Sequence, residues 1–158
     1  MSRRWIKRLA IPAALLAAGW WGLPWLVELP DLTPPAASPV FLARDGTPLR
    51  HLLDENGTRK AAPVRFDEIP EVMRHAMLAA EDKRFFSHGG IDLLAIARAA
   101  WDNARTGKIV SGASTIHQQL IKNATPRSGR RTFGVKLTEA LQARRLAMSW
   151  SREDVLAA

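Results

Sequence analysis

The chain changes its hydrophobic pattern several times between Met1 and Ala158. Arg3, Arg4, Lys7 and Arg8 precede an uncharged run from Leu9 to Val27. Such a run is just long enough to cross a bilayer core of roughly 30 Å as one helix. The basic tail, 1–8, would stay inside, the rest of the chain would face outward, and Trp20, Trp21 and Trp25 would sit at the far interface. A cleaved signal peptide is the rival reading, but its apolar stretch is normally shorter, roughly 7–15 residues. Residues 28–39, ELPDLTPPAASP, have no helical period and read as a stiff linker lifting the remainder of the chain off the membrane. Residues 40–62 hold two apolar runs around Asp45-Gly46, a hairpin signal in which both turn positions can take positive φ. From residue 63 the period becomes helical. Pro70 suits a first helical position, and Met73, Ala76, Met77 and Ala80 draw one buried stripe that ends at Glu81. A second helix runs from an Asp92 cap to a Gly107 cap with Leu94, Ala97 and Trp101 inward. A third opens at Thr115, whose spacing to Gln118 makes a capping box. A fourth, from about Thr132 to Met148, puts Phe133, Leu137, Ala140 and Leu141 on one face. Ser151 and Asp154 cap a last helix that has only about two turns before Ala158, too short to stand alone. The expectation is a mainly α chain in which 63–158 is one truncated domain.

Composition narrows the chemistry. A chain of 158 residues holds one small domain, and the absence of cysteine excludes disulfides, thiolate metal sites and a cysteine nucleophile. A net charge of +8 calls for an anionic partner, whether nucleic acid, lipid surface or phosphorylated substrate.

Three segments carry reactive side chains. In AAEDKRFFSHGGID, 79–92, the run Glu81-Asp82-Lys83-Arg84 falls where an apolar helix breaks into a Gly89-Gly90 loop. An acid half desolvated there can serve as a general base; a solvated charge cluster at a helix end is the plainer alternative. In SGASTIHQQLIKN, 111–123, small residues from Ser111 to Thr115 offer backbone N–H groups and a helix N-terminus to an anion, with Lys122 two turns along. An ordinary capped helix start would look the same. In the segment from Val135 onward, Lys136 and Glu139 form an i, i+3 pair, most simply an exposed helical ion pair.

Taken together, these segments resemble the glycosyltransferase domain of class A penicillin-binding proteins and monofunctional peptidoglycan transglycosylases, the family-51 glycosyltransferases. The first is similar to the motif E-D-x-x-F-x-x-H-x-G, met by Glu81, Asp82, Phe85, His88 and Gly90 and followed by Ile91 and Asp92. The second is similar to G-x-S-T-x-x-Q-Q-x-x-K-N, met from Gly112 to Asn123 through Ser114, Thr115, Gln118, Gln119 and Lys122. The third resembles R-K-x-x-E at Lys136 and Glu139, with Val135 where the family carries arginine and Arg131 one turn earlier. Ser151 to Leu156 resembles the S-R-x-x-V-L segment beyond it, and SPVFLARDGTPLR resembles the 1C subgroup. The likeness covers the N-terminal run, the linker and roughly 45–158.

The resemblance implies a lysozyme-like α-helical lobe, behind an N-terminal transmembrane helix and a small β-hairpin, that polymerises lipid II into glycan strands at the outer face of the cytoplasmic membrane. Glu81 would deprotonate the acceptor hydroxyl, with inversion at the donor's anomeric carbon and loss of undecaprenyl pyrophosphate. Arg84, Lys122 and Lys136 would meet the diphosphate, helped by Mg²⁺ or another divalent cation that Glu139 would arrange. Asp82, Phe85, His88, Ser114, Thr115, Gln118 and Gln119 would complete the substrate site. Neither a Ser-x-x-Lys nor a Lys-Thr-Gly triplet occurs, so these residues hold no transpeptidase centre. A membrane-anchored fragment that binds lipid II or another cell-wall synthesis protein without turnover shares every motif with the enzyme. A nucleic-acid-binding protein, suggested by charge alone, fits poorly with export and with acids at the motif centres.

Overall fold

The computed structural model describes residues 3–34, 36–53, 57–125 and 132–158, with side chains from residue 11 onward. Helix α1, Arg3–Gly22, is followed by a 3-10 turn at Leu23–Leu26. Strands β1, Val40–Leu42, and β2, Pro48–His51, pair antiparallel. A second 3-10 turn at Phe66–Glu68 leads into α2, Glu71–Glu81, then α3, Leu93–Thr106, α4, Ile116–Ala124, α5, Phe133–Ser149, and α6, Arg152–Ala157.

The run 9–27 is not one continuous helix. Because α1 starts at Arg3 it takes in the cationic tail, and it stops at Gly22 because Pro24 lacks an N–H and disfavours α geometry at Leu23. Among the described residues, no helix is long and apolar enough to cross a membrane. The expected linker does not stand clear of the lobe. Leu29 and Leu32 pack against the core, and Gln142 donates to the Glu28 carbonyl at 2.7 Å.

The hairpin forms where expected, with Val40 opposite His51 and Phe41 opposite Arg50, and a bulge between Phe41 and Leu42. Only Gly46 of the turn takes positive φ, 85°. Asp45 instead acts through its side chain, accepting from the Thr47 N–H at 3.0 Å and hydroxyl at 2.7 Å.

Phe85, Ile121, Ala143, Leu146, Val155 and Leu156 form the buried core. Its centre is the α4–α5 pair, closed on one side by the loop after α2 and on another by α6. Although short, α6 is held by the burial of Val155 and Leu156. Of two predicted inner faces, that of α3 lies outside and that of α2 reaches the core only through half-buried Met77. Along α2 no residue is buried and Met73 is 62% exposed; in α3 only Ala99 is buried, while Leu94 and Trp101 are exposed. The inward face of α5 is rotated from the predicted one: Phe133 and Leu137 are exposed, whereas Glu139, Ala143, Arg144 and Leu146 are buried. Helical period fixes that a stripe exists, but its partner decides which side is covered. The caps of α3 match, with Asp92 accepting from Ala95 N–H at 2.9 Å and Gly107 closing the helix at φ 65°, whereas Pro70, expected as the first helical residue, is instead the N-cap of α2.

Two glycines let the loop after α2 meet α5. Gly90 has φ 89°, and a Cβ there would collide with the Ala143 carbonyl oxygen. Beside it, Arg144 donates to the Gly89 carbonyl at 3.0 Å. Backbone against backbone leaves no flexible atom to give way.

His117, fully buried, stacks on Phe85 with ring centroids 5.0 Å apart. Its Nε2 accepts from Arg152 at 3.1 Å, since a guanidinium can only donate, so Nδ1 carries the ring proton. Burial first, then Arg152 and the His88 ring, push the His117 imidazole down to about 4 against the opposing pull of Asp82.

Gly90→Ala combines a left-handed backbone with a clash against carbonyl oxygen and should cost roughly 2–4 kcal/mol in denaturant unfolding. Gly46→Ala, with similar φ but open space around it, should cost only about 1–2 kcal/mol; equal losses would refute the close approach as the cause. For His117, the unfolded state takes up a proton near 6.5 whereas the folded state does so near 4. Stability from this group is therefore complete above about pH 6.5 and falls by about 3 kcal/mol as pH drops towards 4. His117→Asn should flatten that part of the curve, and unchanged slopes in the two proteins would assign the titration to another group.

Candidate functional site

The Glu81-Asp82 pair divides into an outer and an inner carboxylate. An α-helix that ends at Glu81 leaves that side chain exposed, while Asp82, the C-cap with φ −154°, turns inward and is buried. Asp82 receives His88 Nε2 on both oxygens at 2.9 and 3.0 Å and the Ile116 N–H at 3.0 Å. The first N–H of α4 is thus answered by a carboxylate, the favoured charge at a helix N-terminus. A second tie joins the same segments, from the Thr115 hydroxyl to the Gly90 carbonyl at 2.7 Å. Through these bonds the two sequence segments become one rigid frame.

Glu81 stands at the rim of that frame, where its Oε2 accepts from Gln119 Nε2 at 2.9 Å. A cleft of about 350 Å³ opens beside it, lined by Glu81, Lys83, Arg84, Arg98 and the backbone run Gly112–Thr115. Arg84 Nε donates to Asp92 Oδ2 at 3.0 Å, leaving both terminal guanidinium nitrogens outside that bond. Burial pushes Asp92 up, but the Ala95 N–H and the Arg84 charge outweigh it and hold the carboxyl below its usual range. With Asp82 and Asp92 internally engaged, the cleft presents Glu81 against Lys83, Arg84 and Arg98. Its lining carries three cationic and three acidic side chains, and of the acids only Glu81 is exposed.

The remaining predicted residues divide by position. Ser114 is exposed on the cleft wall, and Thr115 lines it while buried in the frame. Phe85 belongs to the core and His88 to the Asp82 network. Gln118 completes the capping box, its Oε1 accepting from the Thr115 N–H at 3.0 Å. That bond narrows the anion site expected over Ser111–Thr115 from both ends, since the Thr115 N–H is taken by Gln118 and the Ser111 N–H by Asn103. Lys122 is exposed one helical turn beyond Gln119, on the same face of α4. Lys136 is exposed in the first turns of α5, and neither lysine is on the cleft lining. Glu139 is not the exposed partner of Lys136 that spacing suggested: it is 4% exposed, on the face that carries Ala143 and Leu146. Val135 is half-buried, and Arg131 lies outside the described residues. Reading by motif missed Arg98 and Asn103, which only tertiary proximity marks. Arg152 stands in the S-R-x-x-V-L segment without an assigned role there, and it reaches both His117 and, at 2.6 Å, the His88 carbonyl.

Asp82, His88 and His117 bring candidate ligand atoms within 4.8 Å of one another. Hydrogen bonding rules this cluster out as a metal centre. His88 Nδ1 accepts from the Gly90 N–H at 3.2 Å, so the ring proton sits on Nε2 and no lone pair faces Asp82. The other accepting nitrogen, His117 Nε2, already faces the Arg152 cation. Mg²⁺ prefers several oxygen ligands. Among the described residues Asp82 and Asp92 are engaged and Glu139 is off the cleft, so the side chains do not fit a protein cage for that ion.

The family model described as Transglycosylase matches residues 45–158. The chain is 31% identical over 153 residues to penicillin-binding protein 1C of Escherichia coli (strain K12), covering 96% of this chain and 19% of that protein. It is 42% identical over 100 residues to penicillin-binding protein 1A of Neisseria gonorrhoeae, covering 63% of this chain and 12% of that protein. The chain therefore spans less than a fifth of the length of these curated relatives. With the frame around Asp82 built from the same segments that the family model covers, the chain belongs to the transglycosylase family.

Proposed function

We propose that this chain carries peptidoglycan glycosyltransferase activity, joining lipid II to a growing glycan strand with inversion at the anomeric carbon and release of undecaprenyl pyrophosphate. The observation that carries the reading is the outward Glu81 carboxylate on the rim of a cleft that also holds Lys83, Arg84 and Arg98. Gln119 holds Oε2 of Glu81, which leaves Oε1 to take the proton of an acceptor hydroxyl as that oxygen attacks. The electron pair of the breaking bond passes to the diphosphate, a leaving group that needs cationic surroundings more than a protonating acid. Lys83, Arg84 and Arg98 supply them in the cleft. Lys122 and Lys136 would extend the positive field towards the lipid-linked end. A divalent cation would add positive charge at the departing diphosphate, and Glu139, off the cleft lining, would not be its first protein contact.

We place the N-terminal segment at the cytoplasmic membrane with the lobe on its outer face. Leu15, Leu16, Trp21, Trp25 and Leu26 are each more than half exposed, an apolar surface suited to lipid. Arg144 lies 4.8 Å from the Trp20 ring and 4.7 Å from Trp21, and Arg145 lies 5.4 Å from Trp25, so this segment is tied to α5 rather than hanging from it.

Glu81→Gln keeps the size of the side chain and its bond to Gln119 but removes the basic oxygen. Turnover of lipid II should fall by about 10²–10⁴ with the melting temperature unchanged; near-normal turnover would move the base elsewhere. The protein should also stay in the membrane pellet through carbonate extraction, and a reporter fused after Ala158 should be active outside the cytoplasm. Release by carbonate, or a reporter active inside, would overturn the membrane placement.

A further inference from the structure

We infer that Asn103 is a positioning residue for the cleft, fixing the backbone that forms its far wall and thereby how tightly a lipid-linked diphosphate is held. The inference rests on the glycosyltransferase reading for its ligand, though not for its geometry. Asn103 sits half-buried in the last turns of α3, and the left-handed Gly107 folds the chain back past it. Its Oδ1 accepts from the Val110 N–H at 2.8 Å and the Ser111 N–H at 3.0 Å, while Nδ2 donates to the Ser111 carbonyl at 3.1 Å. One carboxamide therefore satisfies both backbone polar groups of Ser111.

The next four residues, Gly112–Thr115, line the cleft together with Glu81 and Arg98. At their far end Thr115 is pinned to the Gly90 carbonyl and to Gln118. The wall is thus suspended between two anchors, Asn103 and Thr115. Packing contributes little in between: a Cβ at Gly112 would meet nothing within 4 Å, and Val110 and Ser114 are exposed. Losing the Asn103 anchor should let the wall drift from the cations it faces, without disturbing the core around Phe85 and Ile121.

The test compares Asn103→Ala with Asn103→Asp in the whole chain. Aspartate keeps the acceptor for the two N–H groups but turns an oxygen towards the Ser111 carbonyl, so it should restore part of the anchor. Lipid II polymerisation should show KM raised about tenfold in the alanine variant and about threefold in the aspartate variant, with kcat within about twofold in both. Backbone amide exchange at Val110 and Ser111 should quicken in the same order, with the melting temperature little changed. A lowered melting temperature with KM unmoved would reduce Asn103 to a purely structural role and overturn the proposal. Exchange is read whether or not the chain turns over lipid II. Should the unaltered protein fail to polymerise it, the glycosyltransferase reading falls, and amides still protected in Asn103→Ala would separately sink the anchor.

Discussion

Burial of Asp82 is the constraint on which the rest of the site depends. A carboxylate withdrawn from water must be met by donors, and here they come from places far apart in sequence: the His88 ring on both oxygens and the first N–H of α4. Satisfying that one charge fixes the end of α2, the loop of Gly89 and Gly90, and the start of α4 relative to one another. Glu81 is held outward because its neighbour is held inward. The adjacent acids therefore have unlike surroundings, one buried and engaged on both oxygens, the other exposed at the cleft with a single partner in Gln119.

The second tier is the approach of that frame to α5. Gly90 lies so near the Ala143 carbonyl that no side chain fits, and Arg144 closes over Gly89. Arg144 is itself nearly buried, and burial together with the neighbouring Arg152 pulls its guanidinium down from its usual value. Its faces meet Trp20 and Trp21, which partly compensate the lost hydration. The same helix thus contacts the reactive loop and the N-terminal segment. Displacing that segment would be felt first at Arg144, one residue from the Gly90 contact.

A core this small is completed by polar and aromatic groups as much as by aliphatic ones. His117 stacks on Phe85, His88 meets both rings at steep angles, and Arg152 spans from α6 to His117 and the His88 carbonyl. α6 thereby joins the segments of Phe85 and His117 instead of merely covering them. Short as it is, it could not persist without those contacts.

Local chemistry was legible in the sequence wherever one segment decides its own conformation. The hairpin at Gly46, the Asp92 and Gly107 caps of α3, the Thr115–Gln118 capping box and the Ser151 cap of α6 all stand where short-range rules put them. The three motifs, and with them the family, were legible too, because order and spacing survive in one dimension. Which side of each helix is covered was not. Met73, Trp101 and Phe133, expected on the inner faces of α2, α3 and α5, are exposed, while Met77 of the same α2 stripe packs against the core, since periodicity gives a stripe without naming its partner. The length of the run 9–27 suggested one span, but Pro24 ends α1 first. Only the tertiary structure distinguished Asp82 from Glu81, removed Glu139 from the surface, brought Arg98 to the cleft and set Asn103 against Val110 and Ser111, next to the run that lines it. Those outcomes depend on which buried charges and backbone groups find partners from distant segments, and that is settled only when the segments pack together.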